Sequence, residues 1–150
     1  MERLIVLDTE TTGIKPSEGH RIIEVGAVEI LDREITSTEF QKYIQPNRKV
    51  GESVNIHGIT DKFLINKPQF NQISDDLLSF IEGATLVIHN APFDLGFLNN
   101  ELKIIGIKEK IENICTSGRY TFTLPEIDKK KLQQILGEQK DKRNTENLKH

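Results

Sequence analysis

The chain has 150 residues, enough for one domain with a sizeable core, and its 36% hydrophobic and 29% charged residues are typical of a globular protein with some very polar segments. Its net charge is −3, so any contact with nucleic acid must be local or bridged by metal. A single cysteine excludes an internal disulfide and a cysteine-based zinc site. No apolar stretch approaches the roughly 18 residues of a membrane span, and the first residues lack a signal-peptide pattern. We therefore expect a cytoplasmic protein without a membrane partner.

The first predicted element is a strand that delivers two acidic side chains. Residues 4–7 form an aliphatic run typical of a strand buried on both faces, and Asp8 and Glu10 follow where we expect it to end. Because strand side chains alternate, these two point the same way and Thr9 points away. Neighbouring carboxylates repel each other unless they share a proton or bind a cation. A bare Asp-X-Glu is more often a solvated turn, but the buried strand before it and the turn at residues 11–13 favour a Mg²⁺ or Mn²⁺ site.

The next segments predict two more strands and a helix. Residues 21–32 are rich in β-branched side chains and residues 36–44 alternate weakly, so both are interpreted as strands. Short connections join them to the first strand, which predicts an antiparallel meander of three strands. Residues 47–66 look irregular, with a short helical piece at residues 60–64. Residues 70–82 carry apolar side chains at helical spacing and predict a helix.

The second half of the chain predicts a strand, a helix and a final strand. Residues 85–89 are short, apolar and β-branched, as in a buried strand, and Asn90 is suited to cap a helix after it. An apolar stripe over residues 93–105 predicts that helix, which Gly106 would end. Residues 111–115 predict one more short strand. The order β-β-β-α-β-α-β indicates an α/β fold around a mixed sheet.

Three other polar residues are candidates for a site, each on a weak signal. Asp94 falls in the first turn of a predicted helix, where the helix dipole favours acidic residues with or without a function. Glu52 and His57 lie in a predicted loop, and a lone loop histidine is more often a solvated residue than a ligand. Whether these three residues belong to a functional site depends on the pattern that they form with Asp8 and Glu10.

Four sequence blocks, taken in order, resemble one family. They are DTETTG at residues 8–13, RIIEVGAVEI at 21–30, VNIHGIT at 54–60 and LVIHNAPFDLGFL at 86–98. With these blocks the chain resembles the DEDD family of 3′–5′ exonucleases and, within it, the epsilon-type proofreading branch of bacterial DNA polymerase III. The resemblance covers residue 3 to about residue 115. It implies a ribonuclease H-like exonuclease fold, with a mixed sheet, a three-strand antiparallel meander and flanking helices.

The resemblance also implies a role for each candidate residue. Asp8 and Glu10 match the first motif and would ligate the metals. Asp94 matches the second motif and would complete the acidic catalytic cluster, whereas Glu52 and His57 match positions that contact the terminal nucleotide. Two divalent ions, Mg²⁺ or Mn²⁺, about 4 Å apart would support hydrolysis of the 3′-terminal phosphodiester. The implied partners are the DNA 3′ end, the released dNMP and the core subunits of DNA polymerase III.

The chain departs from the family pattern after about residue 115. In epsilon-type enzymes a general-base histidine precedes the last metal-binding aspartate by five residues, and residues 95–150 contain no such pair. We therefore expect residues 1–115 to hold the exonuclease core, with its C-terminal part incomplete, and residues 116–150 to form a divergent polar tail, partly helical and disordered at its end. A frameshifted or truncated copy explains this pattern better than a variant C-terminus that binds a partner.

Three functional hypotheses follow from these observations. The first is a proofreading 3′–5′ DNA exonuclease whose activity is impaired because the base and the last metal ligand are missing. The alternatives are a catalytically inactive module that still binds nucleotides or DNA ends, and a fragment without function. RNA stays open as a substrate, because related DEDD proteins degrade RNA.

Overall fold

Five strands form one mixed sheet in the computed structural model, which describes residues 2–115 and 121–123. The strands are β1 (Arg3–Thr11), β2 (Ile22–Leu31), β3 (Glu34–Tyr43), β4 (Thr85–Ile88) and β5 (Thr121–Thr123). The helices are α1 (Val54–His57), α2 (Asp61–Leu64), α3 (Phe70–Ile81), α4 (Ala91–Ile104) and α5 (Ile111–Ile114), with 3₁₀ turns at Pro16–Glu18 and Gly51–Ser53. Among the described helices, none is long and apolar enough to cross a membrane.

The sheet has the order β3-β2-β1-β4-β5, which places β1 at its centre. Strands β1, β2 and β3 pair antiparallel, so the predicted meander is confirmed. Strand β4 pairs parallel with β1, and β5 pairs parallel with β4. A parallel neighbour needs a long crossover, and the chain from β3 to β4, which contains α3, provides it. The predicted mixed sheet with flanking helices is therefore confirmed.

The core lies mainly on one face of β1. Ile5 and Leu7 belong to a large buried cluster that includes Leu77 of α3 and Leu98 of α4. On the other face, Val6 belongs to a smaller buried cluster. The expectation that residues 4–7 are buried on both faces is confirmed for Ile5, Val6 and Leu7, whereas Leu4 is only partly buried. Burial on both faces holds the acidic residues that follow on a rigid central strand.

The predicted strand at residues 111–115 is wrong, because Ile111–Ile114 forms the short helix α5. A short apolar run does not distinguish a strand from a buried helical turn, and here the buried Ile111 satisfies either pattern. The fifth strand is Thr121–Thr123, beyond residue 115. The other residues of the predicted tail lie outside the described residues, so the domain boundary stays a prediction.

Three local expectations also need correction. Strand β1 continues through Thr11, so the acidic pair lies within the strand and not at its end. The segment predicted as irregular contains the 3₁₀ turn Gly51–Ser53 and helix α1, which carry Glu52 and His57. Asn90 stands at the N-terminus of α4, with its backbone at φ −130° and ψ 80°, but its side chain makes no capping hydrogen bond.

Candidate active site

Strand β1 presents Asp8 and Glu10 on one face, as the alternation predicts. Asp8 is exposed, Thr9 is buried and Glu10 is half-buried. On the neighbouring strand, Gly26 stands opposite Asp8, so no side chain covers that carboxylate from β2. The acidic pair therefore lies on a side of the central strand that a ligand can approach.

A third carboxylate on this face was missed from the sequence. Glu24 of β2 stands directly opposite Glu10, which places both side chains on the same face of the sheet. Glu24 is only 4% exposed, and its Oε2 accepts a hydrogen bond of 2.8 Å from Gln41 Nε2. Like charges opposite each other are unfavourable unless something neutralises them. This face of the sheet therefore suits a cation, and the meander register was the signal that could have identified Glu24.

Asp94 approaches β1 from the face that carries Thr9. It lies in the first turn of α4, and its Oδ1 accepts hydrogen bonds from Thr9 Oγ1 at 2.6 Å and from Thr9 N at 3.2 Å. Burial, together with the negative charge of Asp8, raises the pKa of Asp94 to about 6, although the hydrogen bonds from Thr9 act in the opposite direction. Thr9 was expected only to point away from the site, yet it holds the second-motif carboxyl in place.

The donor chemistry of these residues fits a hard divalent cation. Asp8 and Glu10 share one face, and the negative charge of Asp8 contributes to the raised pKa of Asp94. Carboxylate oxygens are the ligands that Mg²⁺ and Mn²⁺ prefer. Within residues 2–115 and 121–123, however, no three histidine, cysteine or acidic side chains converge closely enough to hold an ion. The described residues therefore present an open pair of ligands with a third carboxyl beside them.

His57 and Glu10 line one small cavity of about 180 Å³. His57 Nδ1 accepts a hydrogen bond of 3.0 Å from Ile59 N, so the proton of the neutral ring resides on Nε2, 3.0 Å from Ser53 Oγ. The histidine is therefore oriented as a hydrogen-bond donor and not as a base. Phe93 lines the same cavity and, partly buried, also packs against the main core cluster.

Two exposed apolar side chains also line this cavity. Ile14 is 77% exposed and Ile56 is 87% exposed, and both line the cavity. Their exposed apolar surface is thus accessible to a ligand that enters the cavity.

Glu52 lies in an adjoining, larger cavity of about 550 Å³ and does not line the cavity of His57. This second cavity is also lined by His20 and Arg48, and it shares Ile14 and Ile56 with the first. The structure thus brings Glu10 and His57 together and places Glu52 beside them.

A buried ion pair anchors helix α4 to the start of β2. Glu101 is 1% exposed, and its two oxygens accept hydrogen bonds of 2.7 Å from Arg21 Nε and Nη2. Glu101 Oε1 also accepts from Ile22 N at 3.2 Å. Asp94 lies two helical turns earlier on the same helix, so α4 is attached to the sheet at both points. The signal in the sequence was an acidic residue within the apolar stripe between Leu98 and Leu102.

A comparison with models of protein families identifies the family of this chain. The model of the exonuclease family RNase_T matches residues 5–150, nearly the whole chain. The chain belongs to this exonuclease family. Membership in this family implies divalent metal ions, in agreement with the donor chemistry described above.

Curated relatives and solved structures agree with this assignment. The DNA polymerase III subunit epsilon of Buchnera aphidicola (Acyrthosiphon pisum) is 52% identical over 120 residues, 77% of this chain and 51% of the relative. That of Rickettsia typhi is 52% identical over 104 residues, 69% of this chain and 45% of the relative. The chain thus spans about half the length of the curated relatives it matches. Exonuclease I of E. coli, at 15% identity and a TM-score of 0.69 over 81% of this chain and 28% of that one, confirms the fold alone.

Proposed function

We propose that this chain is the nuclease part of a metal-dependent 3′–5′ exonuclease that removes terminal nucleotides from DNA in proofreading. The observation that carries the proposal is the pair Asp8 and Glu10 on one face of the central strand, with Asp94 bonded to Thr9 between them. The identity of about half of the aligned residues with chains named DNA polymerase III subunit epsilon supports it.

In this proposal the acidic residues hold Mg²⁺ or Mn²⁺. Asp8 and Glu10 would be the ligands, and Asp94 would complete the cluster from the face of β1 that carries Thr9. When bound, a pair of divalent ions supplies charge neutralisation at the scissile phosphate and a more acidic water. The bonds from Thr9 keep the Asp94 carboxyl oriented and partly offset the burial that raises its pKa to about 6. Near neutral pH this carboxyl is therefore mostly ionised, as a metal site requires.

The same proposal places the terminal nucleotide in the cavity beside Glu10. His57 would exchange the hydrogen bond from Nε2 to Ser53 Oγ for one to the nucleotide, and Glu52 in the adjoining cavity would accept one from the nucleotide. Ile14 and Ile56 would contact the base without selecting its identity. Preference for mispaired ends would then come from the lower cost of separating an unpaired base.

A second candidate function is a nucleotide-binding module with little turnover. Residues 95–150 contain no histidine followed five residues later by aspartate, and the described residues hold no group of three metal ligands. Without a positioned general base, a chain of these 150 residues would turn over about 10²–10⁴-fold more slowly than an enzyme that has one. In either case we propose a cytoplasmic protein that works with the core subunits of DNA polymerase III.

Single-turnover digestion of a 5′-labelled primer with a mispaired 3′ end, first in Mg²⁺ and then in Mn²⁺, tests the proposal. We expect degradation by the unmodified chain and by Asp75→Ala, a matched control on the exposed side of α3, but not by Asp8→Ala. Metal-dependent binding of dNMP without turnover would select the second candidate. If the folded chain neither binds dNMP nor digests the primer, both candidates are wrong.

A further inference from the structure

We infer that a lysine-lined groove beside the active site binds the phosphate backbone of the DNA strand whose 3′ end is being removed. The groove has a volume of about 950 Å³ and runs between the loop after β1, the outer face of α4 and the segment before α5. This inference rests on the proposed function and extends it from the terminal nucleotide to the strand behind it.

The charge of the groove is opposite to that of the chain. The whole chain has 23 acidic and 20 basic residues, for a net charge of −3. The described residues that line the groove include four lysines and a single acidic residue, Glu109. The lysines are Lys15, Lys103, Lys108 and Lys110. A local concentration of positive charge on an acidic protein is the pattern expected where one polyanion must be held.

These lysines are not neutralised by the described part of the protein. All four are exposed, and the three ion pairs found within residues 2–115 and 121–123 use Arg3, His20 and Arg21. Lys103 has a second, structural role, because a basic residue in the last turn of α4 interacts favourably with the helix dipole. Lys15, Lys108 and Lys110 lie outside helices, so that explanation does not apply to them.

Two elements connect the groove to the active site. On the loop after β1, Ile14 lines the cavity of His57 and the next residue, Lys15, lines the groove. On α4, Phe93 lines the cavity, and the groove follows along the same helix as far as Lys103. A strand whose end lies in the cavity therefore meets the groove without crossing another element.

The length of this path suits a short single-stranded segment. From Phe93 to Lys103, α4 rises about 15 Å at roughly 1.5 Å per residue. At the spacing of about 3.4 Å per nucleotide that a stacked strand has in a duplex, that distance corresponds to roughly four stacked nucleotides. Between these residues, Gly96 lines the groove, and apart from its chain neighbours and the adjacent backbone of its own helix, no described atom lies within 4 Å of the position that its Cβ would take. The backbone of α4 is thus open to a strand at this point.

The test compares two variants that each remove two lysines. Lys103→Gln/Lys108→Gln changes the groove, and Lys42→Gln/Lys62→Gln removes the same charge from exposed positions on β3 and α2. The dissociation constant of a labelled single-stranded oligothymidylate is measured without divalent ions over a series of salt concentrations. In parallel, hydrolysis of the p-nitrophenyl ester of dTMP with Mn²⁺ reports the active site alone.

We expect the groove variant to lower the slope of log K against log salt by about 1.4, since each phosphate contact on a single strand contributes about 0.7. Its rate of ester hydrolysis should equal that of the control variant. Equal slopes for the two variants would overturn the inference, and so would competition by oligoglutamate as effective as that by DNA. Failure of the proposed function is distinguishable, because it would appear as no ester hydrolysis by the unmodified chain.

Discussion

Thr9→Val removes the hydroxyl that holds Asp94 while keeping the shape of the side chain. Thr9 Oγ1 donates to Asp94 Oδ1 at 2.6 Å, and the backbone bond from Thr9 N, at 3.2 Å, would remain. Both groups are buried, so water would not replace the lost donor readily. The perturbation therefore acts on the ionisation of Asp94 more than on the packing.

The magnitude follows from the strength of a hydrogen bond to a charged group. Such a bond contributes about 1.5–3 kcal/mol, which is roughly one to two pKa units. Burial already raises the pKa of Asp94 to about 6, and the Thr9 hydroxyl opposes that rise. In Thr9→Val the pKa should therefore reach about 7–8. At pH 7 the ionised fraction of Asp94 would fall from roughly nine-tenths to between a tenth and a half.

The assay is the pH dependence of ester hydrolysis with Mn²⁺, together with a titration of the Asp94 carboxyl carbon by NMR in the metal-free protein. We expect the acidic limb of the rate profile to shift upward by about one to two pH units in Thr9→Val. Thr9→Ser, which keeps the hydroxyl, should retain the profile of the unmodified chain. A folded Thr9→Val protein whose NMR titration coincides with that of the unmodified chain would refute the reasoning.

Two further predictions concern stability. In the metal-free protein, the raised pKa of Asp94 means that its contribution to the free energy of unfolding is complete below about pH 4 and is lost as the pH rises to about 6. Asp94→Asn should remove this pH dependence, because the amide does not ionise. At pH 7 the variant should be up to about 3 kcal/mol more stable than the unmodified chain, while losing activity. Urea unfolding at pH 4 and pH 7 measures this, and a difference between the two proteins that is independent of pH contradicts it. Glu101→Gln leaves the Arg21 guanidinium without its carboxylate and should cost about 2–3 kcal/mol at pH 7. Urea unfolding of Glu101→Gln beside the exposed control Glu109→Gln checks the value, and equal midpoints would mean that the pair does not anchor α4.

Much of the fold was predictable because its elements have strong local patterns. The aliphatic run in β1 and the helical spacing in α3 and α4 gave the correct element types, and short connections predicted the meander. The assignment failed at residues 111–115, where a short apolar run fits a strand or a helical turn equally well. There the choice depends on which segment pairs with β4, and that segment is Thr121–Thr123.

The sequence by itself determined the family and the side-by-side placement of Asp8 and Glu10, because the alternation of side chains along a strand is a local property. Only the tertiary structure decided that Thr9 bonds Asp94 and that Arg21 bonds Glu101, since these partners lie 85 and 80 residues apart in the chain. Periodicity reports which face of its own element a residue occupies. It does not report which element packs against that face, and that packing sets the burial and the raised pKa of Asp94.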